Sequence, residues 1–395
     1  MDKLIYMDNA ATTSTAPEVV SAMLPFFTEY YGNPSSVYNF AQKSKMAIED
    51  AREIIADSIG AAKSNEIYFT GGGSESDNWA LKSAAFGLRD KGNHIITTKI
   101  EHHAILNTCA YLEKNGFEIT YLDVDSEGFV SLEDVENAIT EKTILISVMF
   151  ANNEIGTIEP VCEIGEIAHK HGILFHTDAV QAMCHVPINV TEMNIDLLSA
   201  SAHKFHGPKG VGFMYMKNSA KLEPFIHGGA QERARRAGTS NVPGIVGMGQ
   251  AVKLALSTLD KDTHTIINMR NYIVDRILGE IPDVTFDGPC IDANAVSAGS
   301  PAGSLKRLPS NMHFCFKDVS GDSLLIMLDM NGICASSGSA CAAGSIDPSH
   351  VLLAIGRSKG ETKGALRLSI DKNLTKEDAD YAIDALKAAV ARLRG

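Results

Sequence analysis

The chain contains 395 residues, of which 45% are hydrophobic and 21% are charged, as is typical of a globular protein large enough for two domains. Its formal charge of −13 argues against a broad nucleic-acid-binding surface. The N-terminus has no apolar core of signal-peptide length and no apolar run approaches the length of a membrane span, so we expect a cytoplasmic protein without a membrane segment.

The first half of the chain is predicted to alternate strands with helices. Its first fifteen residues lack helical periodicity and are expected to form an extended arm, after which Pro17 opens a helix and residues 40–60 form another. The predicted strands that follow are IYFT, HIITT, FEITYL, TILISVMF and three runs within residues 173–216, and the helices between them cover residues 75–90, 104–115, 131–140 and 161–171. This alternation predicts a mostly parallel sheet with helices on both faces.

A long helical region, residues 243–280, is expected to lead into a second, smaller α+β unit. The predicted strands of this unit lie near residues 311–316, 333–335 and 365–370, and its helices lie near residues 321–330 and 375–393. Residues 293–304, ANAVSAGSPAGS, form the one low-complexity segment and are interpreted as a solvent loop.

Two strand ends carry an acid and an amine. An apolar run that ends in HTDAVQ places Asp178 at the C-terminal edge of the sheet, and the next run places Ser201, His203 and Lys204 at that edge. Such a pair suits a pyridine aldehyde cofactor, since the lysine can form a Schiff base while the aspartate keeps the pyridine nitrogen protonated. Taken singly, a strand-end aspartate more often caps a helix and a lysine is more often solvated.

Three further strand ends carry polar residues. The run TGGGSES, residues 70–76, follows a strand and opens a helix, so it can bind a phosphate, although a glycine-rich run is more often only a turn. Glu101, His102 and His103 follow the next strand, where a histidine can stack on a flat ring and move protons; two ordinary histidines are the alternative. An amide of the run NNEIG, residues 152–156, could reach a phenolic oxygen. We expect these groups to meet in one crevice.

The smaller unit contributes a cysteine and an arginine. Cys341 lies in a run of small residues, 335–345, which has little to pack with and is expected to be a mobile loop carrying a nucleophile, whereas Cys334 is interpreted as structural. Seven cysteines without a CxxC pair fit a reducing compartment. Arg367, in ALRLSI, has the alternation of a half-buried strand and suits a substrate carboxylate, with a surface salt bridge as an equal alternative.

Together these motifs resemble the cysteine desulfurases, pyridoxal phosphate enzymes of the class V aminotransferase group. The matching stretches, in family order along nearly the whole chain, are YMDNAATT, GNPSS, FTGGGSESDN, EHHAILN, NNEIG, HTDAVQ, SASAHKFHGPKG, HGGAQERARRAGT, SSGSAC and ALRLSI. The resemblance implies the α/β fold type I architecture, with a large domain built on a mostly parallel seven-stranded sheet flanked by helices. We predict this domain over residues 15–260 and a small α+β domain over residues 1–14 and 261–395.

The resemblance also implies roles for individual residues. Lys204 corresponds to the Schiff-base lysine, Asp178 to the partner of the pyridine nitrogen, His102 to the ring-stacking acid or base, and Cys341 to the nucleophile that attacks the substrate sulfur. The other implied residues are Asn153 and Gln181 at the cofactor ring, Gly73, Ser74, Ser201 and His203 at its phosphate, Thr239 from a partner subunit, and Asn33 and Arg367 at the substrate carboxylate. The contact of Thr239 implies a homodimer with shared sites.

The reaction implied is conversion of L-cysteine to L-alanine, with a persulfide left on Cys341 for a sulfur-acceptor protein whose identity stays open. The chain departs from the family at Tyr38, where a histidine is frequent, at Ser74, where threonine is frequent, and over Cys290 to Pro309, which is longer than the usual connection. A selenocysteine lyase, a class V aminotransferase without a task for Cys341, and a degenerate cofactor-binding partner protein are the alternatives. The histidines lack the spacing of metal ligands, and no metal site is predicted.

Overall fold

The computed structural model describes residues 4–220, 222–291, 305–338 and 348–395. The predicted loop 293–304 and Cys341 lie outside these ranges. The strands are β1 (Ile5–Tyr6), β2 (Ile67–Thr70), β3 (His94–Thr98), β4 (Glu118–Leu122), β5 (Thr143–Ser147), β6 (Leu174–Asp178), β7 (Leu197–Ser201), β8 (Gly212–Met216), β9 (Val284–Phe286), β10 (Asn311–Phe316), β11 (Ile333–Cys334) and β12 (Ala365–Ser369). The helices are α1 (Pro17–Met23), α2 (Pro25–Thr28), α3 (Asn39–Ser58), α4 (Gly73–Gly87), α5 (His103–Lys114), α6 (Leu132–Ala138), α7 (Val161–Lys170), α8 (Gln231–Ala234), α9 (Val242–Glu280), α10 (Gly321–Met330), α11 (His350–Ala354) and α12 (Lys376–Arg394).

A seven-stranded sheet in the order β2-β8-β7-β6-β5-β3-β4 forms the centre of the molecule. Strand β8 runs antiparallel to both of its neighbours, and the other pairs in the sheet are parallel. The β3, β5, β7 and β8 strands are buried along their whole length because helices cover both faces. The predicted α/β class and the mostly parallel seven-stranded sheet are therefore confirmed.

A three-stranded antiparallel sheet, β12-β10-β9, and a short parallel pair, β1-β11, form a second group of strands. Its hydrophobic cluster packs the strands against the C-terminal part of α9, α10 and α12. Ile5 and Met7 belong to this cluster, so the N-terminal arm joins the second unit through a strand that the sequence did not reveal. The exact domain boundaries stay a prediction.

Helix α9 links the seven-stranded sheet to the second group of strands. It also tests the expectation that no apolar run approaches the length of a membrane span. It has 39 residues and contains an 18-residue window with a mean hydropathy of 1.2, enough by length and composition alone to cross a bilayer. The expectation that no run approaches this length was wrong. The helix packs against α1, α3 and α12, and 44% of the window is buried.

Candidate active site

A cavity of about 320 Å³ opens at the carboxyl edge of the seven-stranded sheet. Its volume lies within the range of small-ligand sites. It is lined by ten of the residues predicted from the sequence: Gly73, Ser74, His102, Asn153, Asp178, Gln181, Ser201, His203, Lys204 and Arg367.

The parallel strands bring these residues together. Because β2, β3, β5, β6 and β7 run in the same direction, the segments that follow them lie at one edge, where open α/β sheets bind ligands. Asp178 is the last residue of β6 and Ser201 the last of β7, while Lys204 ends the short helical turn that follows. The expected meeting of five strand ends is thus present in the fold.

The N-terminal arm forms one wall of the cavity. The Lys204 Nζ donates to the backbone oxygens of Ala10, at 2.6 Å, and of Ala11, at 2.9 Å. The Ala10 oxygen also accepts from the Gln181 side chain at 3.0 Å. The arm therefore holds the amine within the site through backbone groups that a ligand can replace.

Asp178 and His102 lie close to each other within this cavity. The Asp178 Oδ1 accepts the Val180 N–H at 2.9 Å, and the carboxylate is almost wholly buried. Burial raises the pKa of Asp178, although His102, the Val180 N–H and the Lys204 charge oppose that rise. Burial lowers the pKa of His102, whose Nδ1 accepts the Ala104 N–H at 3.1 Å. The imidazole is therefore neutral with its proton on Nε2.

Two further buried acids, Asp77 and Glu101, lie beside Asp178. Burial is the main cause that raises the pKa of each well above its usual range, and the Asp178 charge adds to the effect. The Glu101 Oε1 accepts the Met149 N–H at 2.9 Å, but its Oε2 and the Asp77 Oδ1 have no hydrogen-bond partner among the described residues. Burial therefore favours the protonated form of both acids, and each keeps one carboxyl oxygen without a hydrogen-bond partner among the residues that the structure describes.

An open recess lies at the N-terminus of α4. A Cβ at Gly73 would lie 2.5 Å from the Val180 Cγ2, so only glycine lets the backbone approach here. The recess is also lined by Ser74, Ser201, His203 and Lys209. Burial, followed by the Lys204 and Lys209 charges, lowers the pKa of His203 to about 4, so this imidazole is neutral at pH 7. Free N–H groups, hydroxyls and one lysine together suit an anion.

Arg367 is buried in the opposite wall. Its strand, β12, is buried throughout rather than half-buried, and the alternative of a surface salt bridge is wrong, since Arg367 is only 1% exposed. The guanidinium donates to Asp8 Oδ1 at 2.9 Å, to the Asn153 oxygen at 2.9 Å and to the Gly338 oxygen at 3.0 Å. Its Nε–H has no acceptor among the described residues, a lack that a carboxylate ligand would satisfy.

Two sequence-predicted residues, Asn33 and Thr239, do not line this cavity. Asn33 is exposed and its Oδ1 accepts the Ser35 N–H at 3.0 Å, so it serves its own turn. Thr239 is also exposed and does not line the cavity of the single chain. Cys341 lies outside the described residues. The roles given to all three stay predictions.

Several residues at the site were given no role from the sequence. They are Asp8, Asp77, Glu101, Glu154, Lys209 and His350. Asp77 could have been found by helix spacing, because it lies four positions after Gly73 and so faces the same side of α4. No local signal identified Asp8, since its partner is 359 positions away.

Two groups of metal-ligand type occur among the described residues, each with ligand atoms within 4.8 Å of one another. One is Asp77, His102 and Asp178 in the cavity, and the other is Asp287 with His313 and Cys315 of β10. In the second group Asp287 already accepts from His313 and from Arg357. An adjacent guanidinium disfavours a bound cation. The absence of a metal site stays a prediction.

Known protein families, relatives and solved structures are similar to this chain over most of its length. The family model described as aminotransferase class-V matches residues 5–382. The cysteine desulfurase IscS of Clostridium botulinum is 54% identical over 100% of this chain and 96% of its own length, and that of Methanosarcina thermophila is 51% identical over 100% and 93%. A solved NifS-like protein superposes with a TM-score of 0.90 at 36% identity, covering 99% of this chain and 100% of that one. A structure described as SspA in complex with cysteine gives 0.79 at 38% identity, over 94% and 100%.

The chain belongs to the class-V aminotransferase family. Within that family it groups with the cysteine desulfurases, which depend on pyridoxal 5′-phosphate. The lining fits this cofactor: it offers the Lys204 amine, the buried Asp178 carboxyl and, in the recess at the N-terminus of α4, hydroxyl groups and Lys209 for the phosphate. The predictions of fold, family and cofactor are confirmed.

Proposed function

We propose that this protein is a cysteine desulfurase that converts L-cysteine to L-alanine and keeps the sulfur as a persulfide on Cys341. The observation that supports it most is the meeting of Lys204, Asp178 and His102 in one buried cavity. Full-length similarity to cysteine desulfurases supports the same reaction.

The residues of the chain have distinct tasks in this proposal. Lys204 would hold the cofactor through its amine, which would also take the proton from the cysteine Cα. Asp178 would keep the pyridine nitrogen protonated, and the neutral His102 would help to hold the ring. When bound, the cofactor supplies an electron-accepting ring that stabilises negative charge at the substrate. Arg367 holds the substrate carboxylate through its Nε–H, which has no acceptor within the described part of the chain.

The sulfur step is written as a balanced transfer. The Cys341 thiolate forms a bond to the substrate sulfur, and the bond between that sulfur and the substrate Cβ breaks with its electron pair left on carbon. Protonation of that carbon gives alanine, so cysteine plus enzyme thiol become alanine plus enzyme persulfide. No external oxidant or reductant is required.

We propose a homodimer in the cytoplasm, with Thr239 completing the partner's phosphate site. Large apolar side chains exposed on one stretch of the single chain support a covered surface: Leu24, Phe27, Tyr31, Val37 and Tyr38. We also propose that the protein delivers the sulfur to an acceptor protein of iron–sulfur cluster assembly. We propose no membrane or nucleic-acid partner. Light scattering during size-exclusion chromatography tests the dimer.

The reaction is tested with the cofactor-loaded protein and L-cysteine. We expect alanine formation, one added sulfur on Cys341 by mass spectrometry, and loss of both in Cys341→Ala. Full activity of that variant would refute the nucleophile assignment. Turnover of selenocysteine with none of cysteine would favour the lyase, and transamination without sulfur release the aminotransferase.

The cofactor attachment has its own test. The purified protein is expected to show a visible absorption band that Lys204→Ala lacks. A protein without this band would be a degenerate partner protein rather than an enzyme.

A further inference from the structure

Glu154 is hydrogen-bonded to one flank of the segment that contains Cys341 and lies beside the other. Gly338 immediately precedes this segment, residues 339–347, and Ser349 closely follows it. The Ser349 Oγ donates to the Glu154 Oε2 at 2.6 Å. A Cβ placed on Gly338 would lie 3.1 Å from that same oxygen. One buried carboxylate therefore lies against both flanks.

The position of this carboxylate is fixed by its own turn. Glu154 is 3% exposed, and its N–H donates to the Asn152 Oδ1 at 2.8 Å. The Asn152 side chain in turn donates to the Ile100 oxygen at 2.9 Å, which ties the turn to the segment after β3. The neighbouring Asn153 lines the cofactor cavity. Glu154 thus projects from a rigid part of the site.

The flank before the segment is held on its other side by Arg367. The guanidinium donates to the Gly338 oxygen at 3.0 Å, and the Gly338 N–H donates to the Ser336 Oγ at 3.0 Å. Gly338 has a φ of +99°, which a residue with a side chain rarely adopts. A bulkier residue would also approach the His313 Nε2 within 3.3 Å.

The flank after the segment begins helix α11. The Ser349 Oγ accepts the Leu352 N–H at 3.2 Å as the N-cap, while it donates its own proton to Glu154. The next residue, His350, makes a 2.9 Å hydrogen bond to the Glu101 oxygen. This flank is therefore attached to the cavity through two contacts.

We propose that Glu154 is a positioning residue for sulfur transfer, because it bonds Ser349 after the Cys341-containing segment while it packs beside Gly338 before that segment. The inference rests on the proposed role of Cys341 as the nucleophile. Fixing both ends of a short segment raises the fraction of time that its nucleophile spends within reach of the substrate. Misplacement by about 1 Å can cost roughly 100-fold in rate.

The test compares variants that remove or keep the contact. Glu154→Ala removes the acceptor, whereas Glu154→Gln keeps an amide oxygen that can accept from Ser349. Ser349→Ala removes the donor but also an N-cap. Its matched control is Ser320→Ala, which removes the N-cap of α10, where the Ser320 Oγ accepts the Ser323 N–H at 3.4 Å far from Glu154 in the chain.

The cofactor-loaded full-length protein is mixed with L-cysteine in a single turnover, and persulfide on Cys341 is followed by mass spectrometry. We expect Glu154→Ala and Ser349→Ala to slow persulfide formation by about 10- to 100-fold. Glu154→Gln and Ser320→Ala should stay within a few-fold of the parent. The absorption band of the bound cofactor and the KM for cysteine should not change.

A double variant separates positioning from general damage. If the two side chains act as one contact, Glu154→Ala with Ser349→Ala should be no slower than Glu154→Ala alone. Additive losses, or a parental rate in Glu154→Ala, would overturn the inference. Absence of persulfide in the parent would instead overturn the proposed function.

A glycine substitution gives a second approach. Gly338→Ala should slow persulfide formation as Glu154→Ala does, because its Cβ would displace the carboxylate. Gly172→Ala is the control, since Gly172 has a φ of +69° but no atom within 4 Å of an added Cβ. A parental rate in Gly338→Ala would count against the inference.

Discussion

Two buried clusters of similar composition differ in how their charge is balanced. One contains Asp287, His313 and Cys315, and the other contains Asp77, His102 and Asp178. Burial alone would raise the pKa of Asp287, but its contacts with His313 and Arg357 outweigh burial and lower it. In the cavity, burial outweighs the opposing contacts of Asp178 and raises its pKa.

The difference shows what separates a structural cluster from a binding site. At Asp287 the chain supplies its own counter-charge, the Arg357 guanidinium at 2.6 Å. At Asp178 burial outweighs the His102 and Lys204 charges, which oppose the rise of its pKa. A protonated pyridine nitrogen would supply further positive charge. The incomplete cluster is therefore the one expected to bind a ligand.

The largest effect is expected at Asp178. Asp178→Ala should lower the rate of alanine formation by about 100- to 1,000-fold, because it removes a buried charge from beside the cofactor. Single-turnover kinetics at saturating cofactor measure this. Asp196→Ala is the control, since this buried aspartate pairs with Lys217 at 3.3 Å outside the cavity and should affect stability only. A loss below 10-fold in Asp178→Ala would remove the distinction between the clusters.

The next effect is expected at Asp287, and it concerns stability. Asp287→Ala should lower the free energy of unfolding by about 3 kcal/mol, because it leaves Arg357 and the fully buried His313 without their shared partner. Urea unfolding measures it. The cofactor absorption should stay unchanged; loss of cofactor would mean that this cluster, too, belongs to the site.

A smaller and pH-dependent effect is expected at Asp77. Because its pKa is raised in the folded chain, the folded state holds a proton that the unfolded state has lost, and stability falls as pH rises above the ordinary carboxyl pKa of about 4. The amide of Asp77→Asn does not ionise in this pH range. The free energy of unfolding of this variant, relative to that of the parent, should therefore increase between pH 5 and pH 7.5.

Glu159 provides the control for that experiment. Burial raises its pKa to about 8, and its Oε2 accepts the Val130 N–H at 3.0 Å. The parent should lose stability as the pH rises from about 4 to about 8, and Glu159→Gln should avoid this loss. The cofactor absorption of Glu159→Gln should stay unchanged. Parallel pH profiles of Asp77→Asn and the parent would show that Asp77 is ionised in the fold.

The smallest effect is expected outside both clusters. Lys142 and Glu118 form an exposed pair at 3.6 Å, with each side chain more than half accessible. Lys142→Ala should change the free energy of unfolding by about 0.5 kcal/mol or less. A larger loss in urea unfolding would show that exposed pairs matter here as much as buried ones.

Much of the fold and of the cavity could be predicted because strand periodicity and strand-end residues are local signals. Asp178 and Lys204 each follow an apolar run, and the rule for parallel sheets then places them together. Strand β9 has only three residues, too few for a periodic pattern, and β1 has two. Sequence patterns also could not tell that β12 is buried on both faces, since the covering surfaces come from distant parts of the chain.

The sequence also could not predict which residues pair with the buried charges. Asp8 lies far from Arg367 in sequence and meets it only because β12 runs beside the N-terminal arm. Glu154 was part of the motif NNEIG, but its positioning role depends on the hydrogen bond from Ser349, which lies 195 positions later in the chain. Such contacts depend on tertiary packing, which local propensity does not encode.

Helix α9 gives the molecule a single rod about 58 Å long, at 1.5 Å per residue. Val252 near its start packs in the core beneath the large sheet, and Ile273 near its end packs in the core of the second unit. Fraying of one core must then loosen a helix that the other core needs. Hydrogen exchange of the amides in both halves of the helix should report one common free energy of opening, as in one cooperative unit, rather than two.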